Sequence, residues 1–466
     1  MHNLPSASLA LALLAPLGAW AQSAAEPTSE IQLLRQEISS MRAAYEARLQ
    51  AMEQRLLLAE KTAAAPAGAN AVAAAPAPAP AQAASPPPTA AATATASGGA
   101  NAFNPAISLI LSGGYTRTSR EPATYAISGF ALPAGAEIGP GARGLSLAES
   151  ELGLSASIDP WLRGVAHIAL HPDNAVSVEE AFVETTALGH GLSLKAGRYL
   201  SGVGYLNAQH AHNWDFVDSP LVYQAMLGTQ YGDDGLQLRW LAPTDQYLEL
   251  GAELGRGRSF PGSDAAGNGT GMRALSAHTG GDLGDSHSWR AGLSLLSARA
   301  SAQELSLPDA TGTISTQHFS GNTRVWLLDG VWKWAPNGNA TRTSFKLQGE
   351  YLRSTRDGSQ SDDGGSAARV YRAAQSGWYL QGVYQFMPQW RLGLRTERLQ
   401  PGTPDYSLAA DSYQPRKNSL MLDFNPSEFS RIRLQWAQDR SRPGPADRQL
   451  LLQYQMSLGA HGAHSY

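Results

Sequence analysis

Residues 430–440 read Ser-Arg-Ile-Arg-Leu-Gln-Trp-Ala-Gln-Asp-Arg. Ile432, Leu434 and Trp436 alternate with Arg431, Arg433 and Gln435. A period of two belongs to a strand, whose successive side chains point to opposite faces. The pattern recurs in Leu248, Leu250, Ala252 and Leu254 against Glu249 and Glu253, and in Phe345, Leu347, Gly349 and Tyr351 against Lys346, Gln348 and Glu350. A soluble sandwich alternates in the same way, so the connections have to decide. From residue 101 onward, strands fall near 105–116, 144–158, 160–171, 176–187, 190–200, 226–242, 246–257, 270–283, 287–298, 318–336, 340–354, 370–386, 388–400, 415–426, 429–440 and 446–458. That is about sixteen, an even number, as single-chain bacterial barrels require. Tight turns at Asp159, Pro243-Thr244-Asp245, Pro336-Asn337-Gly338, Met387 and Pro426-Ser427-Glu428 follow even-numbered strands, while long connections at Arg117 to Arg143, Ser201 to Ala225 and Ala300 to Gln317 follow odd-numbered ones. This is the rule of periplasmic turns and external loops, and it gives an all-β fold: an antiparallel transmembrane β-barrel over 101–466 with both chain ends in the periplasm.

Composition excludes other classes. The chain has 466 residues and is 43% hydrophobic, yet beyond the N-terminus no apolar run is long enough for a spanning helix. A net charge of −4 argues against a nucleic-acid partner, which needs a concentrated basic surface. There is no cysteine, hence no disulfide, thiolate chemistry or Cys-ligated zinc. Glycine (47), tryptophan (11) and tyrosine (16) are abundant while charged residues make up 16%, which suits strands carrying aromatic interface belts.

Residues 1–21 read as a signal peptide, with an apolar core from Leu9 to Leu17 and Ala19-Trp20-Ala21 at the cleavage site. In 28–62, Ile31, Leu34, Ile38, Met41, Tyr45, Leu49, Met52, Leu56 and Ala59 form a coiled-coil seam with one stutter. So narrow a seam favours self-association over a lone helix. Residues 63–100, almost all Ala, Pro, Ser and Thr, cannot build a core and read as a disordered, partly polyproline-II periplasmic linker.

The segments Gly202-Val203-Gly204-Tyr205-Leu206-Asn207, His210-Ala211-His212-Asn213-Trp214-Asp215-Phe216, Asp218-Ser219-Pro220-Leu221, Asp234-Gly235-Leu236-Gln237-Leu238 and Asn425-Pro426-Ser427-Glu428-Phe429-Ser430-Arg431 resemble a proteobacterial outer-membrane porin-like family allied to the phosphate-selective porins. Some of its members are labelled TonB-dependent or zinc-regulated receptors. The resemblance spans 101–466 and implies a trimeric porin-like barrel. With 35 Lys+Arg against 39 Asp+Glu, the chain lacks the basic excess of the phosphate-selective members, which argues against phosphate as its solute.

By analogy with sixteen-stranded porins, the fifth-to-sixth connection, Ser201 to Ala225, is the external loop that folds inward and sets the constriction. It carries His210, His212, Asp215 and Asp218, and two imidazoles at i and i+2 beside a carboxylate are ligands for Zn²⁺ or a similar cation. The same side chains could equally hydrogen-bond the loop into shape, and both readings stay open. His167 and His171 share one face of the third strand and point toward the lumen within reach of that loop. His461 and His464 lie in a tail that, with its final aromatic, reads as an assembly signal. Glu180, Glu184, Glu249 and Glu253 place acid on one side of the lumen, and Arg391, Arg395, Arg431 and Arg433 place base on the other. The result is either a transverse field across the pore or a set of wall salt bridges.

No Gly-x-Ser-x-Gly elbow, Walker loop or His-Glu-x-x-His helix is present, so no enzyme is expected and no cofactor is required, with Zn²⁺ as the candidate metal. The expected function is passive diffusion of small polar or charged solutes across a Gram-negative outer membrane, through a pore responsive to a divalent metal where His167, His171, Glu180 and Glu184 complete a cation site with His210 and His212. The expected partners are two further copies in a homotrimer, membrane lipid, and peptidoglycan through the N-terminal segment. The alternatives are a TonB-dependent receptor for a metal or metal complex, and a barrel serving only as a cell-wall tether.

Overall fold

The computed structural model describes residues 105–134, 138–264, 267–308, 314–362, 367–402 and 413–459. The signal peptide, coiled coil, linker, His461, His464 and terminal Tyr466 lie outside the described residues. The strands are β1 (Ala106–Thr118), β2 (Ser150–Ser157), β3 (Leu162–Leu170), β4 (Val176–Thr185), β5 (Leu192–Leu200), β6 (Gly232–Leu241), β7 (Tyr247–Gly255), β8 (Met272–Leu283), β9 (His287–Pro308), β10 (Ile314–Trp334), β11 (Ser344–Asp362), β12 (Arg369–Met387), β13 (Trp390–Gln400), β14 (Arg416–Ser427), β15 (Ser430–Arg440) and β16 (Asp447–Gly459). Two short pieces, Leu132–Pro133 and Gly144–Leu147, complete the sheet. Each main strand pairs antiparallel with the next, and β16 returns to β1 from Ser108↔Gly459 to Thr118↔Gln449. Closure removes both sheet edges, as a barrel in lipid requires. Each of the sixteen segments read from the sequence corresponds to one main strand.

Burial inverts the order of a soluble protein. Along β13, Leu392 and Leu394 are exposed while Arg395 and Glu397 are buried. Leu394 is 61% exposed, and Arg433 on β15 is fully buried. Apolar side chains facing out and charged ones facing in mark a transmembrane barrel rather than a sandwich. Outward aromatics fall in two tiers. Trp161, Trp240, Phe386 and Phe429 ring the short-turn end, and Tyr115, Trp326, Tyr351 and Trp436 lie further along their strands, where amphipathic rings meet headgroups. Leu394→Arg, placed in the band between them, is expected to cost about 2–4 kcal/mol. An unchanged urea midpoint in lipid vesicles would show that Leu394 does not face lipid.

Three boundaries differ from the sequence reading. The expected loop Ala300 to Gln317 is mostly strand, because β9 and β10 continue past a register shift between Ala300 and Gln303. That bulge changes the phase of the alternation, so the outer part no longer reads as the same strand. The sixth strand begins at Gly232, because Leu221–Leu227 form a helix, α1, instead. The second strand is broken: Gly113 faces Leu147 and Ile110 faces Glu151, so three residues of the second strand oppose two of β1. The connection after β1 also does more than loop outward. Leu132 and Pro133 pair with Ser306 and Leu305 of β9, on the opposite side of the ring, so this segment crosses the mouth.

Candidate functional site

Between β5 and β6 the chain turns into the lumen as a strap, residues 201–231. Asn207 ties its neck, donating to Ser201 O and Tyr231 O and accepting from Tyr231 N, all at 2.8 Å. Glu253 receives Ser201 Oγ at 2.6 Å and Gly202 N at 2.8 Å. Glu350 accepts four hydrogen bonds, from Tyr205 N (3.2 Å), Leu206 N (2.9 Å), Tyr223 Oη (2.8 Å) and Tyr379 Oη (2.7 Å). Gly204 makes that approach possible: its φ is +70°, and a Cβ there would lie 2.5 Å from the Glu350 carboxylate. α1 starts after Pro220, whose missing N–H costs a helix start nothing, and ends at Gly228 in the left-handed conformation. All seven of its residues are buried, and they pack with Val325, Leu327, Leu352, Tyr379 and Leu399 of the wall. Ile127 and Phe130 of the crossing segment join the same cluster, and Tyr125 donates to Gln224 of the strap at 3.1 Å.

Charge pins the middle of the strap to two walls. On the basic wall Asp215 pairs with Lys346 and with Arg391 (3.5 Å) and receives Gln381 Nε2 (3.1 Å). Asp218 pairs with Lys417, with Arg395 (2.8 Å) and with Gln435 Nε2 (2.7 Å). Arg433 holds Trp214 O at 2.7 Å, and Arg431 holds His212 O at 3.0 Å. Burial alone would raise both aspartates, but the facing cations outweigh it, holding Asp215 down at about 2 and Asp218 well below the usual carboxylate range.

On the acidic wall the turn Ala211–Asn213 brings His210 and His212 against β2, β3 and β4. His167 Nδ1 lies 2.9 Å from His210 Nε2 and 3.1 Å from Glu180 Oε2, and His210 Nε2 lies 3.0 Å from the same oxygen. His210 Nδ1 faces Glu179 at 3.0 Å and Glu151 at 3.1 Å, and His212 Nδ1 also meets Glu151 at 3.1 Å. Burial would lower the His210 imidazolium, but hydrogen bonds to Glu151, Glu179 and Glu180 prevail and raise it well above the ordinary value. Two bulges supply these carboxylates. His167 faces Glu180 and Ile168 faces Val178, leaving Glu179 as the extra residue, so two neighbouring acids both turn inward. The irregularity between Leu147 and Glu151 does the same for Glu151.

The structure brings His167, His210, His212 and Glu180 together. His171 stands beside them, 2.7 Å from Ser177 Oγ and 3.8 Å from Glu149. Asp215 does not join the imidazoles: Lys346 and Arg391 hold it on the basic wall, where Arg431 and Arg433 also take the His212 and Trp214 carbonyls. The remaining charged residues are lumenal but engaged. Glu184 meets Arg239 at 2.6 Å, Glu249 meets His278 at 3.6 Å, and Arg391 and Arg433 share Asp423 at 2.5 and 2.7 Å. Each of these groups thus has an opposite charge beside it on the wall, and the strap adds imidazoles beside Glu151, Glu179 and Glu180 and aspartates beside Lys346, Arg395 and Lys417. Glu350, Asn207, Glu151 and Glu179 were not singled out from sequence. Glu350 showed only as a polar partner in an alternating strand, and the Glu179-Glu180 pair needs a bulge that no local signal announces.

No family model matches the chain. An uncharacterized protein of Aquifex aeolicus (strain VF5) is 31% identical over 401 residues, covering 78% of this chain and 80% of that protein. The chain belongs to that protein's family. Among solved structures it is similar to in-vitro folded OmpT of Vibrio cholerae (TM-score 0.46, 10% identity, 76% of this chain and 97% of that one). It is similar also to the anion-selective porin from Comamonas acidovorans (0.46, 11%, 76% and 99%) and to the outer membrane channel DcaP of Acinetobacter baumannii (0.44, 10%, 76% and 96%). The closed strand order rests on this chain's own pairing.

Proposed function

We propose that this barrel is a passive pore in a Gram-negative outer membrane, narrowed by the strap to small polar or charged solutes. The observation that carries the reading is the inverted barrel itself: a closed apolar exterior around a charged interior, entered by a strap held on charged and hydrogen-bonded anchors. A purely structural barrel needs no polar lumen, whereas solute passage does. On the short-turn side of the strap lies a cavity of about 350 Å³ lined by Tyr205, Tyr247, Asp282, Trp289, Arg290 and Lys333. Arg290 sits over the Tyr205 ring, 5.5 Å from its centre. Such a vestibule suits hydrated, charged or dipolar solutes better than apolar ones.

Two alternatives fare worse. A TonB-linked receptor places a globular plug within about twenty-two strands, against sixteen main strands here. A wall tether needs no passage. In planar bilayers the purified full chain is expected to give discrete conductance steps, and a chain that inserts but never conducts would favour the tether. Assembly as a homotrimer is part of the proposal. The face formed by the short strands β2–β5 presents Ala156, Gly164, Ala166, Ala181 and Ala196 around a shallow apolar depression, and small residues let a neighbouring wall approach closely. Crosslinking in detergent that returned only monomer would remove the trimer and leave the pore.

A further inference from the structure

We propose that His167, His210 and Glu180, with Glu151 alongside, bind a divalent cation of the zinc class that fastens the lumen strap to the acidic wall. The site rests on its own geometry; only the strap's part in a pore rests on the proposed function.

The three donor atoms form a triangle with edges of 2.9, 3.0 and 3.1 Å. Ligands about 2.0–2.1 Å from a cation stand about 2.9 Å apart at octahedral angles and about 3.3 Å apart at tetrahedral ones. The donors therefore already have the spacing of one face of a coordination shell.

Hydrogen bonding alone leaves this triangle in conflict. Each ring nitrogen directs one in-plane position that holds either a proton or a lone pair. With Glu180 ionised, two protonated nitrogens set N–H against N–H along the His167–His210 edge. With one protonated, the other's lone pair faces the carboxylate oxygen. A cation on the face removes the conflict, since all three lone pairs then point at it.

The surroundings are those of a supported ligand. His210 Nδ1 has Glu179 and Glu151 at 3.0 and 3.1 Å. A proton donated there leaves Nε2 bare and turned toward His167 and Glu180, the carboxylate–histidine–metal arrangement. The other oxygen of Glu151 lies 3.8 Å from His167 Nδ1, and Glu151, His167 and His210 each offer a donor atom within 4.8 Å of the others, so Glu151 stands next to the triangle. Two imidazoles with carboxylates suit zinc-like cations. The His167 side chain keeps 24% of its exposure, leaving a route of entry. The ligands come from three strands and the strap, so occupancy would join a lumenal segment to the wall.

The test uses the full-length chain, stripped with chelator and titrated with Zn²⁺ at neutral pH by calorimetry. One high-affinity equivalent per chain is expected, with X-ray absorption giving nitrogen and oxygen ligands at about 2.0–2.1 Å. His167→Ala, His210→Ala should lose that equivalent while keeping the heat-modifiable folded band. Should the double variant fail to fold, Glu179→Gln, which alters only the support, should fold and weaken binding roughly 10–100-fold. No binding by the wild type, or binding unchanged in the variants, overturns the site. Binding without conductance in bilayers leaves the site standing and removes the pore; conductance without binding does the reverse.

Discussion

Asp218→Ala is expected to destabilise the barrel by about 3–5 kcal/mol, the usual cost of removing one partner from a buried ionic cluster. Asp218 faces Lys417, Arg395 and Gln435, and the side chains of Lys417 and Arg395 are each only 2% exposed. Without the carboxylate, two cations stay behind with Glu397 and Asp439 as their remaining anions, and the strap loses its strongest hold on that wall. The measurement is the temperature at which the folded band converts to the unfolded one on gels, with Asp218→Asn as the same-shape control. The pH dependence has a definite sign. Burial would raise the Asp218 carboxyl, but Lys417 and Arg395 overcome it and depress it below the ordinary 3.8. A depressed folded value gives a contribution fully present above 3.8 and lost as pH falls through the folded value. Wild type and variant should therefore stay apart from neutral pH down to that ordinary value and converge only in stronger acid. Convergence already at mildly acidic pH would show that the ion pairs do not hold the strap.

Excising residues 203–229 and closing the gap with a short glycine-serine turn should raise single-channel conductance severalfold and admit solutes the native pore excludes. The join is feasible because Ser201 N already donates to Tyr231 O at 3.1 Å, so the ends of the strap are neighbours. The excision removes α1 with Val203, Leu206, Trp214 and Tyr223, which fill the lumen against the β10–β13 wall. A sixteen-strand ring without such filling encloses an aqueous channel. The exposed wall charges of Glu350, Arg395 and Arg433 would be taken up by water, so the barrel should persist. Unchanged conductance would move the constriction to the segment that pairs with β9 through Leu132 and Pro133.

The barrel was legible because its signal is repeated. Leu434 and Trp436 against Arg433 and Gln435 is weak evidence in one strand, but the same phase through successive segments, broken by turns of alternating length, leaves few other folds. Even the inward loop was placed correctly by its position after the fifth strand. Legibility failed where the phase changes. The bulge between Ala300 and Gln303 hid the outer halves of β9 and β10. The extra residue Glu179 hid half of the acidic wall. The buried helix Leu221–Leu227 read as loop running into the start of a strand at residue 226, since a short apolar run does not declare its period.

Within the candidate site, His210 and His212 stand out in the sequence as an i, i+2 pair on a loop, and His167 as a lumen-facing residue of the third strand. Their chemistry was therefore in view, with Glu180 among the expected partners; Glu151 and Glu179 were not. Asp215 lies close to His212 along the chain, yet it sits on the opposite wall with Lys346 and Arg391, while Glu151 and Glu180, remote in sequence, stand at hydrogen-bond distance from His210. The sequence by itself determined the closed antiparallel barrel, its inside-out polarity and the strand pair between which the strap enters, because period and turn length are local properties that each segment carries independently. Only the tertiary structure decided which charges meet, because that depends on the register of sixteen strands, on two bulges that turn Glu151 and the Glu179-Glu180 pair inward, and on a strap long enough to reach both walls.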